Sequence, residues 1–123
     1  MPQVAATEVA PAFTAAKQHL YTMAIDFHEL ETGAYLFGLD EYTFSCLAHV
    51  FDMFYQWTGL RIDPYKSMQL TTENCKVLLQ IIDNQVQQAD LNKDKRKTRA
   101  ILGFRGLLEY FVRKNVSFKL HGD

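Results

Sequence analysis

The sequence predicts a mainly α-helical domain, a compact bundle of three to four helices. Apolar side chains recur every three or four residues over about 40–58, 72–90 and 95–114, which is the spacing of one helical face. The first two of these segments also begin beside a residue type that caps helices well, Asp40 and Thr71 or Thr72. A stretch at about 12–30 offers the fourth helix. With 48% hydrophobic and 22% charged residues, the composition favours a packed core over disorder.

The stretch at 12–30 leaves two alternatives open. Its apolar residues fit a helical face, but between positions 20 and 28 they also alternate with polar ones, as in a strand. A turn signal, Glu31-Thr32-Gly33, follows, and the tail 116–120 alternates in the same way. Because a lone strand leaves its backbone unpaired, the alternative is an α+β fold with a small antiparallel sheet from 20–28, 34–38 and 116–120.

The segment 40–58 is predicted to be the central helix. Asp40 is a good N-cap, and Glu41 lies in the first turn, where the helix dipole favours an acid. Apolar residues cover the helix except for a narrow strip that includes Asp52, so we expect burial on most sides. Gly59 can adopt the left-handed conformation that ends a helix.

The connection after the central helix is long, running to about residue 70. Asp63-Pro64 favours an extended or turn conformation, and we expect Ile62 and Tyr65 to hold the connection against the core. Thr71 or Thr72 can cap the helix at 72–90. Gly103 and Gly106 lie within the last helix at some cost in stability, for which close backbone approach by the central helix would be one compensation.

The chain is predicted to be one domain, residues 1–123, with residues 1–10 mobile. No apolar run approaches the roughly 20 residues of a membrane span, and the first residues lack the basic region of a secretory signal. The two cysteines, Cys46 and Cys75, are too few for a disulfide scaffold. We therefore expect a cytoplasmic protein with reduced thiols and no membrane partner.

Charge is distributed unevenly along the chain. Residues 1–63 carry a formal charge of −6 and residues 64–123 one of +5, although the net charge is only −1. Acids and tyrosines of the first part suit a basic protein surface, because tyrosine supplies contact area and acids steer association. The residues predicted to bind such a partner are Glu29, Glu31, Asp40, Glu41, Asp52, Tyr55, Asp63 and Tyr65.

No enzyme is predicted, because the chain has no recognisable nucleophile, phosphate-binding loop or metal motif. Cys46, His49 and Asp52 are three residues apart, but Asp52 lies too far round the helix to share one ion with both. We predict no catalytic residues, no metal and no cofactor. The basic run 93–99 supports an alternative function, a small nucleic-acid-binding regulator, although no aromatic residues interrupt the run.

A longer stretch of the chain carries a resemblance. Residues 38–82 read GLDEYTFSCLAHVFDMFYQWTGLRIDPYKSMQLTTENCKVLLQII, and the chain closes with HGD. The order of aromatic helix, T-G-x-x-I-D-P-Y turn, helix start and final Gly-Asp resembles small bacterial immunity proteins of contact-dependent-inhibition and other polymorphic-toxin systems. The likeness spans roughly 35–83 and the last three residues.

The resemblance implies a cytoplasmic, non-enzymatic antitoxin that binds a cognate protein toxin and masks its active site or its substrate surface. The toxin expected is a nuclease, whose basic surface would match an acidic, tyrosine-bearing patch. The protein itself would be a monomer or weak homodimer that does not bind nucleic acid.

Overall fold

The chain combines helices with a sheet, so the prediction of a mainly helical bundle is wrong. The structure, a computed structural model, describes residues 23–122, and that part is α+β with a four-stranded antiparallel sheet and four helices. The strands are β1 Met23–Glu29, β2 Tyr35–Asp40, β3 Met68–Leu70 and β4 Phe118–Gly122. The helices are α1 Glu41–Cys46, α2 Ala48–Thr58, α3 Thr72–Gln88 and α4 Lys95–Arg113.

The sheet has the strand order β2-β1-β4-β3, and every neighbouring pair is antiparallel. Three of its strands are those of the α+β alternative, and β3 was not predicted. Residues 23–29 therefore form a strand rather than the second half of a helix at 12–30. The predictions for 1–10 and 12–22 lie outside the described residues.

Long-range pairing explains why β1 is a strand. Phe27 pairs with Phe37 on β2 and with Leu120 on β4, and its fully buried ring stacks on Phe37 with centroids 4.4 Å apart. Residues on either side of Phe27 point to the opposite face, where His28 lies against His121 with ring centroids 4.5 Å apart. A strand with period two satisfies both faces, whereas a helix would leave β2 without a neighbour and β4 paired only with β3.

The predicted central helix is two helices that meet at a fully buried leucine. Thr43 N–H donates to the N-cap carboxylate Asp40 Oδ1 at 2.7 Å and starts α1. The N–H of Leu47 is shared by the carbonyls of Thr43 and Phe44, at 3.2 and 3.1 Å, an arrangement that tightens and ends a helix. Helix α2 then runs to Gly59, whose φ of 77° confirms the predicted left-handed stop.

Helices α3 and α4 lie within two residues of their predicted bounds. Thr71 and Asn74 form a reciprocal capping box at the start of α3, and Asp94 caps α4 by accepting from Lys97 N–H at 3.0 Å. The close approach suggested at Gly103 and Gly106 is wrong, because a Cβ at either position would meet nothing within 4 Å. The two glycines lie on the outer face of α4.

The core lies between one face of the sheet and the helices. Its sheet side is aliphatic and aromatic, with Phe27, Phe118 and Leu120 fully buried. Phe104 of α4 packs edge-on against Phe27 at 5.9 Å between centroids, which ties the last helix to the centre of the sheet. The predicted contact residues lie at the two ends of β2, on α2 and on the loop that follows α2.

Candidate binding surface

The acids predicted to bind a partner do not gather on one surface. Glu29 and Glu31 lie at the turn between β1 and β2, whereas Asp40 and Glu41 lie at the opposite end of β2. Strand β2 has six residues, so roughly 17 Å separate its ends at about 3.3 Å per residue. A partner that covers one of these pairs need not touch the other.

Glu29 accepts hydrogen bonds within the turn between β1 and β2. Thr32 Oγ1 donates to Glu29 Oε1 at 3.0 Å, and Gly33 N–H donates to the Glu29 carbonyl at 2.8 Å. Gly33 has φ of 76°, a left-handed conformation that other residues rarely adopt. Glu31 projects into solvent. The turn is thus closed by Glu29, and only Glu31 is presented outward without such a role.

At the other end of β2, Asp40 has a structural role as the N-cap of α1 and is half-buried. Glu41 follows it in the first helical turn and is exposed. A carboxylate there interacts favourably with the helix dipole. Substituting Asp40 would therefore change the fold as well as any contact surface, which makes it a poor probe of binding.

The other four predicted residues lie together, joined by an arginine that was not predicted. We name this group the loop–α2 surface and define it as Asp52, Tyr55, Arg61, Asp63 and Tyr65. The Arg61 guanidinium lies over the Tyr55 ring, 4.1 Å from its centroid. Arg61 Nη1 is also 3.8 Å from Asp52 Oδ1. Both charged side chains are more than half exposed, so this ion pair contributes about 0–1 kcal/mol.

Local hydrogen bonds at the end of α2 hold the start of the loop that carries part of this surface. Gly59 N–H donates to the Tyr55 carbonyl at 2.8 Å. The Thr58 hydroxyl donates to the Phe54 carbonyl at 2.7 Å and accepts from Leu60 N–H at 3.0 Å. These bonds fix the direction in which the chain leaves α2, so the loop begins from a defined position.

Further along, Asp63 organises the turn at the loop tip. Its Oδ1 accepts from Tyr65 N–H at 2.8 Å, and its carbonyl accepts from Lys66 N–H at 3.2 Å. A Cβ added at Gly122 would lie 2.5 Å from the Pro64 carbonyl oxygen, so the end of β4 abuts the loop backbone. The long connection is therefore packed on its inner side.

The two residues expected to hold the loop to the core behave differently. Ile62 is only 4% exposed, as predicted, and belongs to the hydrophobic core. Tyr65 is 80% exposed, so its predicted burial is wrong. The Asp63-centred turn directs the Tyr65 ring away from the core. An aromatic side chain is thereby displayed at the tip of a fixed loop.

A shallow groove of about 370 Å³ runs beside the tyrosine. Helices α1 and α2 contribute its apolar floor through Phe44, Ala48 and Phe51, and Ile62 closes it from the loop. Charged members of the loop–α2 surface form its rim. An apolar floor with a polar rim and a projecting aromatic ring is the arrangement found in protein–protein interfaces.

The local charge of this surface is close to neutral. Asp52 and Asp63 supply two negative charges, while Arg61 and the adjacent Lys66 supply two positive ones. The −6 charge of the first 63 residues is therefore not concentrated here. The surface therefore offers contact area, whereas its net charge is too small for long-range electrostatic steering.

The basic run 93–99 spreads around the start of α4. Arg96 lies over the Tyr42 ring of α1, with its Cζ 3.9 Å from the centroid. Lys97 instead lines a pocket formed with α3, and Asp94 caps the helix. Arg96 and Lys97 are successive residues and point about 100° apart around the helix. Arg96 and Lys97 therefore point to different neighbours, whereas Lys95 and Arg99, four residues apart, share one side of α4.

The two cysteine thiols are buried, which limits their reactivity. Both Cys46 and Cys75 are buried and unpaired, and burial raises the pKa of the Cys75 thiol to about 12. A thiol that stays protonated at neutral pH is a poor nucleophile and metal ligand. Within residues 23–122, no group of three or more His, Cys, Asp or Glu side chains could hold a metal ion.

Sequence reasoning missed two polar residues that the structure makes prominent. Arg61 was counted only as a charge, because its ion pair with Asp52, nine positions earlier, forms only when the loop folds back on α2. Gln85 was not singled out within the predicted helix at 72–90. Its spacing from Leu78 and Ile82 continues the buried stripe, and this signal could have identified it.

Comparison with protein-family models, with characterised proteins and with solved structures finds no match. No helix among residues 23–122 is long and apolar enough to cross a membrane. The functional argument therefore depends on the geometry of the chain's own residues.

Proposed function

We propose that this chain is a non-enzymatic immunity protein that binds and neutralises a cognate bacterial toxin. In this proposal it acts in the cytoplasm, as a monomer or weak homodimer, and masks the active site or substrate surface of a nuclease. The resemblance of residues 35–83 to small immunity proteins supports it. The observation that carries it is the 80% exposure of Tyr65 on a loop whose inner side is packed.

Rigid display of an aromatic ring favours binding for a physical reason. Ordering a loop on association costs free energy, and a loop that is already fixed avoids most of that cost. Tyrosine adds a large contact area with few rotatable bonds. The bonds around Thr58 and Asp63 fix the backbone on both sides of Ile62, so Tyr65 is presented in one place.

The separation of the acids narrows the proposed contact region. The loop–α2 surface forms its centre, and Glu41 lies on the helix that precedes it. Glu29 and Glu31 lie at the far end of β2, and a partner that covers only this centre does not contact them. The proposal therefore gives charge a smaller part than the sequence suggested, and association should depend only moderately on salt.

The nucleic-acid alternative receives less support, because Arg96 lies over the Tyr42 ring and Lys97 lies at a pocket. A nucleic-acid binding measurement distinguishes this alternative from the proposed function. At low salt, labelled DNA and RNA should show no retention that depends on Lys95 and Arg99. Salt-sensitive retention that is lost when both are changed to glutamine would favour the regulator instead.

The test of the proposal is co-expression with the protein encoded by the adjacent gene. We expect that protein to arrest growth when produced alone, and this chain to restore growth and co-elute with it in a fixed ratio. Tyr65→Ala should lower both rescue and co-elution. Failure of the unaltered chain to bind or rescue would contradict the proposal.

A further inference from the structure

Strand β2 forms one edge of the four-stranded sheet. The strand order β2-β1-β4-β3 leaves two edges among residues 23–122, and β3 has only three residues, whereas β2 has six. On an edge strand, every second residue turns its backbone N–H and C=O away from the sheet. The main neighbours of β2 are β1, its partner in the sheet, and α1, which begins where β2 ends. The outer side of β2 is therefore a place where a further strand can pair.

The side chains of β2 do little to protect this edge. Natural edge strands are protected by charges, proline or bulges. Between Tyr35 and Asp40, β2 reads Leu-Phe-Gly-Leu and carries no charge or proline. Two register shifts against β1 lie outside residues 37–39, where the pairing is regular. Tyr35 is 56% exposed, so its ring is available for a cross-strand contact with an added strand.

Exposed carboxylates lie just beyond both ends of β2. Glu31 lies in the turn that precedes the strand, and Glu41 follows the strand directly; both are exposed. Across residues 23–122, neither carboxylate forms an ion pair. Since β2 spans roughly 17 Å at about 3.3 Å per residue, the two charges flank the length of one added strand. A basic residue near each end of that strand would lie close to one of them.

A second copy of this chain matches the edge less well. Antiparallel pairing of β2 with itself would place Tyr35 of each copy opposite Asp40 of the other. The turn that carries Glu31 would then lie beside the start of α1, which carries Glu41, at both ends of the shared sheet. Like charges that face each other across strands are destabilising. The charges around β2 therefore favour a strand whose ends are basic.

We propose that β2 accepts an extended segment of the toxin as an added strand, and that this segment carries a basic residue near each end. Main-chain hydrogen bonds to the edge of β2 hold the segment, and the flanking charges select it. Helix α1 joins this edge to the loop–α2 surface, because it begins at Glu41 and supplies Phe44 to the groove floor. One partner can therefore contact both. The inference rests on the proposed function for the identity of the partner.

The probe is the peptide acetyl-Lys-Val-Thr-Val-Thr-Val-Lys-amide, titrated into the 15N-labelled full chain and followed by NMR. We expect saturable shifts of the β2 backbone amides and slower hydrogen exchange of those that face outward, with half-saturation at about 1 mM. The same peptide with its five central residues N-methylated keeps both charges but cannot donate main-chain hydrogen bonds, so it should cause no saturable shifts. Replacing both lysines of the peptide by glutamate should weaken binding by about fivefold or more.

A double variant of the chain tests the flanking charges. Glu31→Gln combined with Glu41→Gln removes both exposed carboxylates and should weaken binding of the basic peptide about fivefold, because two exposed ion pairs are lost. Glu73→Gln is the matched control, because Glu73 also lies in the first turn of a helix, but on α3. It should bind the peptide as the unaltered chain does. Dispersed NMR spectra would establish that each variant is folded.

Several results would overturn the proposal. Slow exchange of all β2 amides in the free chain at every protein concentration would show that another part of the chain already covers the edge. Slow exchange that appears only at high protein concentration would assign the edge to a second copy. The absence of saturable shifts up to about 5 mM peptide, equal binding of the N-methylated peptide, or unchanged affinity in the double variant would each contradict it as well.

Hydrogen exchange in the complex with the toxin separates this inference from the proposed function. A toxin that binds and is neutralised while the β2 amides exchange as fast as in the free chain would overturn the added strand and leave the proposed function standing. A toxin that does not bind would contradict the proposed function, whereas peptide binding at β2 would still support an edge that accepts a basic strand.

Discussion

The loop–α2 surface and the pocket between the end of α3 and the start of α4 lie on two sides of α2, and their polar groups are satisfied to different degrees. At the loop–α2 surface, Asp63 and Arg61 are engaged within the chain, while the Tyr65 ring is displayed outward. At the pocket the apolar side chains form walls, and the Gln85 amide is left without a partner. The first site therefore offers contact area, whereas the unpaired polar atom at the second is buried.

This difference separates a candidate contact surface from a feature that affects stability. A projecting ring beside a shallow groove suits a large surface that can enclose the ring, as another protein does. A buried donor without a partner lowers the stability of the folded chain. Substitutions in the loop–α2 surface should leave the region of Gln85 unchanged, and a substitution of Gln85 should leave the loop–α2 surface unchanged.

The largest expected effect comes from removing the buried attachment of the loop. Ile62→Ala deletes a side chain that is 4% exposed in the core, and we expect a loss of about 2–4 kcal/mol in the free energy of unfolding. Urea unfolding followed by circular dichroism measures it. Tyr65→Ala is the control and should change stability by less than about 0.5 kcal/mol. Equal effects would contradict the division between an inner anchor and an outer ring.

The next effect tests the helix stop before the loop. Gly59 has φ of 77°, so Gly59→Ala should destabilise the chain by about 1–2 kcal/mol even though its Cβ would meet no other atom. Gly103→Ala is the matched control within α4. It should stabilise the chain by about 0.5–1 kcal/mol, because alanine favours helix and the site is open. Thermal or urea unfolding separates the two signs.

The helices and the first strand differ in how far the sequence could predict them. Helices α3 and α4 were predictable, because their caps and apolar stripes lie within each segment. Strand β1 was not, since Phe27 fits a helical stripe and an alternating pattern equally well. Pairing with β4, some ninety residues later, decides between them, and no local pattern reports such a contact.

The candidate site was predictable only in part for the same reason. The turn at Asp63-Pro64 and the burial of Ile62 follow from local sequence. The outward direction of Tyr65 depends on the hydrogen bond to Asp63 and on the contact of Gly122 with the loop. The ion pair of Arg61 with Asp52 likewise appears only once the loop is folded back on α2.

At the pocket, removing the unused donor should increase stability. Gln85→Met retains the side-chain volume and eliminates a buried polar group without a partner, so we expect a gain of about 1 kcal/mol in the free energy of unfolding. Gln80→Met, at an exposed position of the same helix, is the control and should change stability by less than about 0.5 kcal/mol. A clear loss in Gln85→Met would show that the amide is already satisfied.

The smallest effect on stability is expected from Arg61. Arg61→Gln removes an exposed ion pair and the contact with Tyr55, and should cost less than about 1 kcal/mol. It also leaves the loop–α2 surface one charge more negative. If the partner is a basic nuclease, association should become faster at low salt and more sensitive to added salt. Stopped-flow binding at two salt concentrations measures this, and a slower association would contradict a basic partner.

The most direct test of the central claim is the affinity of two tyrosine variants for the toxin encoded beside this chain. Tyr65→Ala and Tyr110→Ala each remove an exposed ring, 80% and 53% exposed, but Tyr110 lies on α4, outside the loop–α2 surface. Isothermal titration calorimetry should show that Tyr65→Ala weakens binding by about 2 kcal/mol or more, roughly thirtyfold, while Tyr110→Ala binds like the unaltered chain. Unchanged affinity in Tyr65→Ala, or an equal loss in both variants, would contradict the account.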